Sequence, residues 1–143
     1  MCPKVTVSIL LFLSVMGLSA CDRIRSVTYP PGVHYIDKQQ IESTMYSMAV
    51  ELRQLDALIT AETDSGLVQT RVVAILEEIN RLASSLDQDG KPSNHPAIDA
   101  RLDDFLKQVS RASLMAQLEP PNYYEAGRLS GSCSACHQLR PLD

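Results

Sequence analysis

The sequence predicts an all-α fold, an antiparallel four-helix bundle, with its chemistry on the last helix. Three observations predict it. Beyond residue 36, four stretches carry apolar residues at helical spacing. None alternates with the period of a strand. The connections between successive stretches are short, which favours antiparallel neighbours.

The first helix opens at Asp37, an N-cap residue, with Gln40 placed three residues on as its capping-box partner. Its apolar positions Ile41, Met45, Met48, Leu52, Leu55 and Ile59 alternate steps of four and three, the seam of a helix packed along a neighbour. The second helix starts between Thr63 and Ser65. It carries Val68, Val72, Ile75, Ile79, Leu82 and Leu86, and stops at Asp89-Gly90. A loop through Pro92 and His95 leads to the third, with Ile98, Leu102, Phe105, Leu106, Val109, Met115 and Leu118. That helix ends at Pro120-Pro121, where proline removes a donor and blocks continuation. The fourth opens with Asn122 as N-cap and Glu125 as capping-box partner, passes Leu129 and stops near Pro141. Three helices of roughly 20–25 residues span about 30–38 Å each, and the fourth is shorter.

The fourth helix carries Ser132-Cys133-Ser134-Ala135-Cys136-His137. C-x-x-C-H is the attachment signature of c-type haem: two thiols add across two vinyl groups, and the adjacent imidazole reaches the iron. On a helix the three side chains stand at i, i+3 and i+4 and share one face. The expectation is one haem c per chain, bound covalently through Cys133 and Cys136, with His137 as an axial iron ligand.

The N-terminal residues account for the other cysteines, Cys2 and Cys21. Lys4 precedes an apolar run from Val5 to Leu18, then Leu18-Ser19-Ala20-Cys21. A charged start, a brief apolar core and small residues before a cut describe an export signal. The run is too short to span a membrane as a helix. Leu-Ser-Ala-Cys resembles a bacterial lipobox, which implies cleavage before Cys21 and lipidation of that cysteine. The expected organisation is therefore a signal peptide over residues 1–20, a lipid-anchored tether over 21–36 and the bundle over 37–143. Cys2 leaves with the signal, so Cys133 and Cys136 have only each other. A disulfide framework and a closed zinc site both lack partners. Export also suits haem attachment, which takes place outside the cytoplasm.

The formal net charge is −4, and loss of Lys4 makes it one unit more negative. This excludes the basic footprint of a nucleic-acid partner. No Ser/His/Asp arrangement, acid/base pair or phosphate loop is present, so no catalytic residue is assigned.

A bundle with C-x-x-C-H on its last helix resembles the cytochrome c-prime family and that family's low-spin relatives. The resemblance covers about residues 37–140. It rests on the motif, the helix count and the first-helix spacing. In that family the first helix supplies the residue facing the far side of the iron, at the head of a core spacing of three, four, three. Met45, Met48, Leu52 and Leu55 reproduce the spacing. The resemblance thus implies Met45 as sixth ligand, with Met48 as the alternative and simple core packing of both as the plain reading. Two departures stand out. Ile41 occupies a position where many members have arginine. Arg140 follows His137 by three residues and is itself followed by Pro141, where the family often has a basic residue about four after the ligand histidine.

The other candidates are weaker. His34 lies in the tether and His95 in a helix-start turn; both read as solvated or capping residues, though the sequence leaves bis-histidine ligation open. Gly127 and Gly131 put bare backbone on one face, for close approach of a ring or helix or as merely tolerated glycine.

The functional expectation is a lipid-anchored c-type cytochrome on the periplasmic side of a bacterial membrane, the inner membrane favoured by Asp22 after the lipid cysteine. It would carry single electrons between redox partner proteins at that membrane. The alternatives are a five-coordinate protein binding nitric oxide or carbon monoxide on the side Met45 faces, and a cytochrome that mainly docks on a larger complex. A homodimer stays open.

Overall fold

The computed structural model describes residues 32–61, 66–87 and 90–137. These residues are all-α: α1 Lys38–Thr60, α2 Gly66–Ser84, α3 Pro96–Ala116, a short α4 Tyr124–Gly127 and α5 Leu129–His137. A single bridge between His34 and Ser93 is the only β-type pairing among them. No described helix is long and apolar enough to cross a membrane.

α1 starts where the cap chemistry requires. The Asp37 carboxylate accepts the Gln40 N–H at 2.7 Å, satisfying one of the four N–H groups a helix start leaves open. α1 packs on α2, α2 also packs on α3, and α4 and α5 lie against α3. Because α2 meets a helix on each side, its buried arc is wider than one seam. Val72, Ile75, Leu76, Ile79 and Ala83 are all buried on it. Gln69 of α2 donates through Nε2 to the carbonyls of Ala116 at 3.0 Å and Leu118 at 3.2 Å, so the start of α2 lies beside the end of α3.

The core has two parts. One joins Leu52 and Leu55 of α1 to the α2 stripe, to Val109 and Ala112 of α3, and to Ala126 and Leu129. The other gathers Ile36, Met48, Ala83 and Leu86, with Met45, Ile98 and Leu102 packed against it and only half buried.

Four expectations are corrected. The folded part reaches further toward the N terminus than the tether boundary at residue 36: Ile36 has no exposed surface, and the His34 N–H donates to the Pro92 carbonyl at 2.8 Å. α3 ends at Ala116, before the prolines, and Leu118 is 49% exposed beyond it. The fourth helix is broken: Arg128 separates α4 from α5, and N–H groups there bond three residues back, Arg128 to Glu125 and Gly131 to Arg128. Gly127 and Gly131, weak helix formers, flank the break. Finally, Asn122 and Glu125 do not form a reciprocal box. Asn122 Oδ1 accepts from the Tyr124 N–H at 3.0 Å, while Glu125 pairs across to Arg111 of α3 at 3.4 Å. The expected helix stops at Asp89-Gly90 and Pro141 fare differently. α2 ends at Ser84 and turns through Leu86, with Gly90 in the left-handed region at φ 67°, whereas Asp89 and Pro141 lie outside the described residues.

Candidate functional site

α5 is nine residues long and contains the whole C-x-x-C-H run, with His137 as its last residue. Leu129, buried, roots the helix in the core. One turn on, the Ser132 hydroxyl donates to Gln108 Oε1 of α3 at 2.6 Å. Another turn on, Cys136 lies within the electrostatic reach of Arg101. The α3 partners step back along the chain, from Ala112 and Val109 to Gln108 to Arg101, as α5 advances. α5 therefore runs back along α3.

Cys133 and Cys136 are free thiols. Cys133 is exposed and Cys136 is half-buried. His137 is exposed at the helix end. Burial pushes the Cys136 thiol above its ordinary value, the neighbouring Cys133 adds to that, and the Arg101 guanidinium opposes it. Neither core cluster takes in either thiol. Among the described residues no three His, Cys, Asp or Glu side chains converge to hold a bare metal ion. Three donors side by side on one helix cannot surround an ion, whereas they suit a large flat ligand lying across that face.

The methionines sit on α1. Met48 is 7% exposed and belongs to the second cluster, whereas Met45 packs against that cluster and keeps an open side. α5 packs on α3 and has no extensive contact with α1. The structure thus brings Cys133, Cys136 and His137 together on one helix and leaves Met45 on another, at the margin of a half-covered apolar surface. Ile41, where the family resemblance leads one to look for a cation, is part of that surface. Cys21 and Arg140 lie outside the described residues. A Cβ built on Gly127 or Gly131 would meet nothing within 4 Å, so no neighbouring helix approaches either.

Two histidines differ from their sequence reading. His95 precedes α3 without capping it through its side chain, and its Nε2 lies 3.2 Å from the Ile36 carbonyl. His34 is held by the loop at residues 92–94, and its Nε2 is buried with no hydrogen-bond partner among the described residues. The sequence signal for this ordering was available: Ile36 and Ile41 stand at N′ and N4 around Asp37, the positions of a hydrophobic staple, and both enter the second cluster.

No protein-family model matches the chain, and no curated protein or solved structure matches it either.

Proposed function

We propose that this chain is a c-type cytochrome that carries single electrons, its helices forming an antiparallel four-helix bundle around one haem. The observation that carries the reading is the containment of Cys133, Cys136 and His137 in the single helix α5. The half-covered apolar surface bearing Met45, Ile98 and Leu102 fits the same ligand. A large apolar ring buries surface there that the protein alone leaves in water.

The residues have distinct tasks. Cys133 and Cys136 would hold the ring by thioether bonds, and His137 would offer its imidazole to the iron from the end of the same helix. Met45 would offer a thioether to the iron; its open flank favours it over the enclosed Met48. Bound there, haem supplies a one-electron couple at its iron. The apolar residues around Met45 keep water from the ring, and a methionine ligand raises the potential relative to a second histidine.

The lipobox-like Leu18-Ser19-Ala20-Cys21 supports a lipid anchor on the periplasmic side, which would confine the carrier to redox partners at the membrane. An absorption spectrum of the purified protein tests the assignment. A low-spin oxidised form with a methionine-to-iron charge-transfer band is the expected result. A high-spin form whose ferrous state binds nitric oxide would replace the carrier with a gas-binding protein.

A further inference from the structure

We infer that His34 is a carboxylate-binding residue, its Nε2–H donating a hydrogen bond to a carboxylate at the rim of the haem held through Cys133 and Cys136; this rests on the haem reading above. His34 Nε2 is the one buried side-chain nitrogen or oxygen without a hydrogen-bond partner among the described residues. A nitrogen in that position has lost water and gained nothing from the protein, which native structures rarely tolerate without a further ligand. The main chain of His34 is fixed on both sides. The His34 N–H donates to the Pro92 carbonyl at 2.8 Å, and its carbonyl accepts the Asn94 N–H at 3.2 Å. Two residues on, Ile36 is locked into the second cluster, the same cluster that Met45 packs against.

Position selects the rim of the ring over the iron. His34 is fastened beside the loop that precedes α3, and its chain enters α1 at Lys38. Met45, the proposed sixth ligand, lies about 10 Å beyond Lys38 along the α1 axis. A group near the start of α1 would lie away from an iron held at Met45, and haem carries its two carboxylates on an edge. The chemistry agrees. A carboxylate accepts hydrogen bonds, and an imidazole nitrogen bearing hydrogen donates one. The other polar groups of this corner are committed: the Asn94 side chain to the backbone of Ile36, the Ser93 N–H to the Asp99 carboxylate, and His95 to the Ile36 carbonyl.

The test is resonance Raman spectroscopy of the haem-loaded protein and of His34→Leu and His34→Gln, with the bending bands of the haem carboxylates as readout. The inference expects a shifted band in His34→Leu, a band nearer the wild-type position in His34→Gln, which retains an N–H donor, and unchanged spin and coordination markers in both. An unmoved band in His34→Leu overturns it. Loss of the low-spin signature also overturns it, since His34 would then be an iron ligand. Nitrogen-15 NMR of the histidine-labelled wild type is independent of variant folding. A protonated Nε2 displaced between the ferric and ferrous states is expected; an unprotonated or indifferent Nε2 contradicts the inference. Absence of covalent haem from the wild type would instead sink the parent reading, and the two failures are distinguishable.

Discussion

Asn94 clamps Ile36 through both sides of its peptide backbone: Oδ1 accepts the Ile36 N–H at 2.7 Å, and Nδ2 donates to the Ile36 carbonyl at 3.1 Å. One side chain in the α2–α3 connection thereby fixes the segment that leads into α1. The burial of Ile36 and the placement of His34 both depend on it.

Asn94→Ala leaves both backbone groups of Ile36 short of their partner in a half-buried place. The expected loss is about 1–3 kcal/mol, read as a lower urea midpoint with an unchanged slope. Asn94→Asp keeps the acceptor and discards the donor, so its loss falls between Ala and wild type. An Asn94→Ala protein as stable as wild type would show that the clamp is ornamental.

How much of this was legible beforehand depends on the type of signal. The α1 seam could be read because Met48, Leu52 and Leu55 repeat at the helical period and are all buried. Leu76 could not, because a single-seam reading assigns one stripe to a helix that packs on two neighbours. Ala112 and Ala116 escaped because alanine is at home inside and outside alike; only the approach of α4 shows that small residues are needed there. The Arg128 break was missed because Asn122 and Glu125 have the right types for a capping box but find other partners. Within the site, the spacing of Cys133, Cys136 and His137 carried their common helix. Around His34 only the Ile36 and Ile41 staple was legible; its hydrogen-bonding partners lie in a loop remote along the chain.

The two thiols should differ in reactivity before any ligand is attached. Cys133 is exposed, whereas Cys136 is half-buried with its thiol held above the ordinary value by burial first and by Cys133 second. Iodoacetamide should modify Cys133 several-fold faster in the haem-free protein, with the Cys136 rate still climbing above the pH at which an ordinary thiol has levelled off. The linkage has a definite sign. The folded state holds the Cys136 proton more tightly than the unfolded chain, so its contribution to stability is present at neutral pH and is lost as pH rises through the folded-state value. Faster labelling of Cys136, followed by peptide mass mapping, would contradict the geometry.

Met45 and Met48 should separate spectrum from stability. Met48 is enclosed, so Met48→Ala should cost about 2–5 kcal/mol and leave the low-spin spectrum in place. Met45→Ala should cost less and convert the oxidised protein to a high-spin form. Spectra and thermal melts of the two variants check this directly. The reverse pattern would transfer the ligand role to Met48, and two low-spin variants would remove it from both.

Radiolabelled palmitate fed to expressing cells should mark the wild-type protein and not Cys21→Ser, whose absorption spectrum should be unaltered. A wild-type protein that takes up no label would show that the lipobox-like sequence is an ordinary export signal.

Covalent use of Cys133 and Cys136 is read from the intact mass of the protein expressed with haem-attachment machinery. One added haem per chain, surviving denaturation in acid and organic solvent, is expected. Cys133→Ala and Cys136→Ala should each lose one of the two bonds, and the double variant should carry no bound haem under those conditions. A wild-type mass without haem, with both thiols still open to alkylation, would contradict it.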